Sequence, residues 1–321
     1  MITDVVSQAC VAGTCEPMAV GVLLAVMTAV SNAVSNVLQR IANRDGPEER
    51  NMSPTLIWVL LHRKIWLAGL AAIVTSFVLQ AGALSVSQLA LVQPIIVLEL
   101  PLTLIGASVV LHAPLHRQEW GAAILLTAGL VILIAFLSPH PGPQEATSSV
   151  AWIAGVGGCV AVMALLIVVS RTKAGAPRAA LIGAATGVGF GLTAAFTKAA
   201  MHALSADGIV GLLTAWPTYA MASAGLSAMF LMQNALQAGP LIAAQPGITL
   251  LDPFVAILWG VFAFHEHINR GPLLLVATFG GALMILGAFI LSRSPVLEKR
   301  SGQRPTRRAS SATGAHSGER S

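Results

Sequence analysis

The chain has 321 residues, 55% of them hydrophobic and only 10% charged, with a mean hydropathy of +0.79. Soluble domains carry about 25% charge, and here apolar runs long enough to cross a bilayer recur along the chain, so the composition excludes a soluble globular protein and points to an all-α, polytopic membrane protein. The net charge of +5 is no nucleic-acid signal, because residues 293–321 carry seven basic and two acidic side chains and hold all of it.

Residues 1–16 read as a polar N-terminal extracytoplasmic segment without Lys or Arg, unlike the basic start of a signal peptide. Cys10 and Cys15 there pair if that end faces an oxidising side, while Cys159 reads as a small apolar filler. A window of about 19 residues then predicts nine spans. They lie at 17–38, 66–84, 88–111, 119–138, 150–170, 179–202, 217–237, 241–264 and 272–292. Two stretches, 53–63 (SPTLIWVLLHR) and 208–217 (GIVGLLTAWP), are too short or too polar to count and read as half-helices, interfacial helices or extensions. The tail 293–321, rich in Ser, Gly and Arg, reads as a disordered basic cytoplasmic tail able to touch anionic lipid.

Cations orient the bundle. With the N-terminus outside, sixteen of the 18 Lys and Arg fall on the inner side; the exceptions are Arg270, in an outer loop, and Lys198, inside a span. Basic residues accumulate in cytoplasmic loops, so the expected topology is N-out and C-in, in the cytoplasmic membrane.

The third and eighth spans repeat one another. ALSVSQLALVQPIIVLELP (83–101) aligns with ALQAGPLIAAQPGITLLDP (235–253) at a constant offset of 152. Gln93-Pro94 and Pro101 recur as Gln245-Pro246 and Pro253, Glu99 is answered one position later by Asp252, and Gly129 meets Gly281. Copies five spans apart have opposite orientation. The expected organisation is therefore a first transmembrane repeat at 17–138, a connecting helix at 150–170 and a second, inverted repeat at 179–292, the plan of many secondary transporters.

Glu99 and Asp252 are costly at membrane depth, and intramembrane acids mark ion or substrate paths. Pro94, Pro101, Pro246 and Pro253 each remove a backbone donor, so helix breaks beside the acids are expected. Helical spacing aligns Gln245, Thr249, Asp252 and Trp259; Ser223, Ser227 and Asn234; Ser31 over Ser35 and Asn32 over Asn36; and Thr186, Thr193 and Thr197. These polar stripes join helices by hydrogen bonds or, taken together with Gln93, line a shared wet cavity. Lys198, one turn before His202, snorkels to the interface, neutralises an acid or binds an anionic substrate group. His112, His116, His265 and His267 stand at span ends, where a solvated loop is the plainer reading than a metal site. Gly280, Gly281 and Gly287 suit close helix packing or a homodimer. No GxGxxG, GxxxxGK[ST], GxSxG or HExxH pattern occurs.

The stretches ALSVSQLALVQPIIVLELPLTLIGASVVL, LHRQEWGAAILLTAGLVIL and PGITLLDPFVAILWGVFAFHEHINRGPLLLVATFGGALMILGAFILS resemble the drug/metabolite transporter superfamily with its EamA-like repeats. The resemblance runs over roughly residues 17–292: a proline-containing helix leads to a turn bearing Glu266 and then to a glycine-rich final helix. The nine-span, N-out arrangement looks most like the NIPA-type branch, whose members are described as magnesium transporters. Two departures stand out. Pro114 occupies the place in the first half that matches Glu266, and span 150–170 lies outside a five-plus-five plan.

The expected function is a secondary transporter moving a small metabolite or cation by alternating access, with Glu99 and Asp252 as proton or cation sites. A NIPA-like divalent-cation pathway is the alternative, and a non-transporting membrane scaffold a further one. With two isolated acids and no convergent nucleophile and base, the chain does not read as an enzyme. No cofactor and no nucleic-acid partner are expected; the partners are a small-molecule or ion substrate and the lipid bilayer.

Overall fold

The computed structural model describes residues 15–44, 64–111, 117–140, 147–239, 241–269 and 271–292. The N-terminal segment with Cys10, the stretch 53–63, His112, Pro114, His116, Arg270 and the tail 293–321 lie outside the described residues.

Among the described residues ten helices follow in order: α1 (Cys15–Arg44), α2 (Lys64–Val86), α3 (Leu89–Ile96), α4 (Glu99–Leu111), α5 (Arg117–Leu137), α6 (Ser149–Arg171), α7 (Ala176–Thr214), α8 (Trp216–Ala238), α9 (Leu241–Phe262) and α10 (Pro272–Ser292). Local chemistry sets their ends. Ser148 caps α6 by accepting from the Ala151 amide at 3.2 Å. Gly175, at φ 63°, separates α6 from α7, and Pro177 then seeds α7 in its first turn. Gly271, at φ 101°, does the same ahead of Pro272.

Every expected span coincides with helix. Among the described residues, eight helical segments are long and apolar enough to cross a membrane, with α3 and α4 together making one of them. Helix α8, the seventh expected span, is long enough but not among the eight. Ser223, Ser227, Gln233 and Asn234 lower its hydropathy. The stretch 208–217 is not a separate half-helix: its first part continues α7 across a break at Asp207–Gly208, and Trp216-Pro217 opens α8.

The proline motif behaves differently in its two copies. In the first, α3 stops at Ile96 and α4 starts at Glu99. Pro101 has no N–H for the Val97 carbonyl, so Leu100 donates to it instead, at 3.1 Å, and Val97 likewise donates to the Pro94 carbonyl at 3.2 Å. The third span is thus two half-helices joined by a tight turn. In the second copy α9 runs unbroken through Pro246 and Pro253, against the expected helix break. Helix α7 lies on it there, backbone to backbone: Gly183 and Gly187 leave no room for a side chain against the backbones of Ala244 and Gly247. Packing that close braces the weakened segment.

The packing of the two halves is alike. Helix α1 lies against α2, α3 and α4, as α7 lies against α8 and α9; α3 meets α9 across the halves, and α5 meets α10. The α3–α4 and α7 segments are central, with 67% and 72% of their windows buried, whereas α6, at 6%, leans on α7 from outside. One apolar core joins Ala83, Leu84, Leu91, Val92, Leu192, Phe196 and Trp259; a second joins Val97, Leu130, Leu133, Ala277 and Met284.

Helices α5 and α10 touch through glycine. A Cβ at Gly129 would sit 2.6 Å from the Gly280 carbonyl oxygen, and one at Gly280 the same distance from the Leu133 amide. The partner of Gly129 is therefore Gly280, not Gly281, its equivalent by offset; the nearest atom to a Cβ at Gly281 is 3.7 Å away. Gly129→Val should destabilise the protein by about 1–3 kcal/mol through overpacking, while Gly281→Ala should change little. Thermal unfolding of the purified variants checks both.

Candidate functional site

The repeated acids lie half-way along their spans. Glu99 opens α4 just past the helix break, and Asp252 is mid-way along α9. The charge of Glu99 bears on Asp252. Around Glu99 the first half supplies a polar relay. The Ser76 hydroxyl donates to Asn32 Oδ1 at 2.5 Å, and the Asn32 side chain is a neighbour of Glu99. These residues also stand near the middle of α1 and α2, so the cluster lies at membrane mid-depth.

Several groups in this region lack a protein partner. Among the described residues, Gln93 Nε2, Thr103 Oγ1 and Asp252 Oδ1 are buried side-chain polar atoms without one. Gln93 and Thr103 are 2% and 6% exposed. An unpaired buried polar group costs on the order of 1–3 kcal/mol, a cost that a ligand or an ordered water relieves. Gln245 is partly spoken for, since its Nε2 donates to Thr249 at 3.3 Å. Thr103 follows Glu99 by one helical turn and was legible as an i+4 neighbour of an acid, whereas Ser76, in a largely apolar helix, had no signal of its own.

A second polar cluster closes one end of the bundle. Beyond Phe262, His265 takes the left-handed conformation (φ 51°) and turns the chain back. Glu266 then points inward, 4% exposed. Its Oε1 accepts from the Leu89 amide at 2.7 Å and its Oε2 from the Ala90 amide at 3.0 Å, so a carboxylate of the second half caps α3 of the first. Lys198 pairs with Glu266 at 2.5 Å, donates to the Ser87 carbonyl at 3.3 Å and lies 5.4 Å from the Phe264 ring centre. Of the roles expected for Lys198, neutralising an acid is the one seen, and the acid is Glu266. His267 is held in a backbone pair with His140, at 2.8 and 3.1 Å. Among the described residues no group of three or more His, Cys, Asp or Glu is placed to hold a metal ion.

Other expected site residues do not join the central cluster. Thr186, Thr193 and Thr197 each donate to the carbonyl one turn back in α7, at 2.8–2.9 Å. Ser223 donates to the Ala220 carbonyl, Ser227 to that of Ser223 and Asn234 to that of Phe230, again within one helix. The donor hydrogens of these stripes are thus taken by carbonyls of their own helices. Asn36 is exposed on α1, while Ser31 and Ser35 tie α1 to the Ala72 and Gly69 carbonyls of α2, both at 2.8 Å. Trp259 leaves its stripe for an aromatic cluster, 4.9 Å from Trp152.

The chain is similar to an uncharacterized protein of Corynebacterium glutamicum, with 29% identity over 266 residues, 80% of this chain and 89% of that one. A match of that length extends over both halves. No family model matches the sequence, and no solved structure matches it.

Proposed function

We propose that this protein is a secondary transporter of the drug/metabolite transporter type that moves a small metabolite or cation across the cytoplasmic membrane by alternating access. Its spans would run N-out to C-in, with the halves as inverted repeats. The observation that carries this reading is that each half places one acid half-way along its span, Glu99 at the helix break and Asp252 with a buried oxygen that has no protein partner. Two carboxyls in a dry interior repel until a cation or a proton joins them. The intramembrane cation Lys198 is engaged by Glu266 and is not free to fill that role. The acids belong to two bodies, so whatever binds between them responds when the halves rock against each other. The turn at Val97–Leu98, flanked by prolines, breaks the span next to Glu99.

The same donors support a second reading. Glu99, Asp252 and Thr103 supply only oxygen atoms, which suits a hard divalent cation, as in a NIPA-like pathway. A screen of the purified protein against metabolites and divalent ions identifies what binds, since a ligand of the native state raises the melting temperature. Uptake of that ligand into proteoliposomes should collapse on adding a protonophore. Uptake of a divalent ion that is indifferent to the protonophore favours the second reading. A protein that no compound stabilises, and that moves none, is a scaffold.

A further inference from the structure

At the end of the bundle closed by Glu266, a cavity of about 720 Å³ lies between α6, α7 and the start of α8. It falls within the 300–1,000 Å³ typical of small-molecule sites, and like them it is mostly apolar with a few polar groups. Trp152, Trp216 and Phe264 line it, and Trp152 is the hub of their packing, 5.0 Å from Trp216 and 6.1 Å from Phe264, both edge-on. The polar wall is Lys198 with His202 one turn further along α7, plus Thr147 and Ser149. The counter-ion of Lys198, Glu266, is buried behind it, with both of its oxygens taken by the Leu89 and Ala90 amides. The cavity thus meets the cation and not the acid. Ile153 and Trp216, which line it, are also exposed apolar side chains.

We infer that this cavity is a second binding site, distinct from the Glu99–Asp252 cluster, for an amphipathic anion: a carboxylate or phosphate head against Lys198 and His202, with its apolar body among Trp152, Trp216 and Phe264. The charge selects the head, and the aromatic walls accept a chain or ring of many shapes. A free fatty-acid-like carboxylate and an anionic phospholipid share this chemistry.

Tryptophan fluorescence reads the site directly, because Trp152 and Trp216 line it. The full chain in phosphatidylcholine nanodiscs is titrated with dibromostearate, with its uncharged methyl ester, and with brominated phosphatidylglycerol. Saturable quenching by dibromostearate, and weaker non-saturating quenching by the ester, is expected. Stronger quenching by the phosphatidylglycerol supports the site with a lipid as occupant. Gly157→Leu tests the place without touching the ion pair: Gly157 lines the cavity, and a Cβ there has nothing within 4 Å. That variant should fold normally and lose the saturable phase. Lys198→Gln should bind about tenfold more weakly, the size of one charge-assisted hydrogen bond. Equal quenching by acid and ester, or an unchanged saturable phase in Gly157→Leu, would overturn the proposal. No arm depends on transport, so a failed transport assay leaves the result readable.

Discussion

Glu266→Ala is expected to destabilise the protein by about 3 kcal/mol, the lower end for breaking one side of a buried ion pair. The lower end applies because Lys198, which keeps its contacts to the Ser87 carbonyl and the Phe264 ring, is 19% exposed. Two losses add up. The Leu89 and Ala90 amides open α3 without a partner, since Gln88 gives no side-chain cap of its own. Lys198 keeps a charge near apolar walls with no acid beside it. Glu266→Gln retains one acceptor oxygen for α3 and should cost less than Ala. Adding Lys198→Met to Glu266→Gln removes the stranded charge and should recover part of the loss. Thermal unfolding in detergent measures the series. Equal melting temperatures for Glu266→Ala and the unsubstituted protein would mean that neither the cap nor the pair holds this end together.

By the offset of 152, Leu89 corresponds to Leu241, and Glu266 to Pro114. Proline has no acceptor in its side chain, so the carboxylate cap on α3 has no sequence counterpart at the start of α9. In the proposed topology the capped end faces outward.

The helices were legible because apolar runs of bilayer length leave few alternatives, and each expected span holds a helix. The correspondence of Glu99 with Asp252 was legible for another reason: Gln-Pro, a second Pro and one acid recur at one offset. The partners of the polar stripes were not legible, because spacing says which face a side chain occupies but not which acceptor it chooses. Thr197, Ser227 and Asn234 all chose carbonyls of their own helix. The prolines of α9 misled because the bracing comes from the glycines of α7, some 60 residues earlier in the chain. The role of Glu266 had no local signal at all, since its partner Leu89 lies 177 residues away.

Glu99→Gln combined with Asp252→Asn should abolish transport while leaving the melting temperature within about 4 °C of the unsubstituted protein, a margin of roughly one kcal/mol for a chain of this size or smaller. Each carboxyl that accepts a charge-assisted hydrogen bond or neutralises a cation contributes about 1.5–3 kcal/mol of ligand binding, so losing both takes affinity down by at least a hundredfold. Folding is spared because the fold does not draw on these charges: Glu99 leans on Asn32, which an amide also satisfies, and Asp252 Oδ1 has no partner to lose. Substituting neutral, isosteric amides also ends the repulsion between the two acids, which offsets the lost hydrogen bond. The single variants separate the roles. If the acids act as one site, either amide alone should cost nearly as much as both, since the remaining acid cannot hold the ligand by itself. If they bind a proton and a substrate separately, one single variant should keep ligand stabilisation but lose its dependence on the proton gradient. Proteoliposome uptake and ligand-induced thermal shifts, run side by side on the three variants, distinguish these outcomes, and full uptake by the double variant would remove the acid pair from the mechanism.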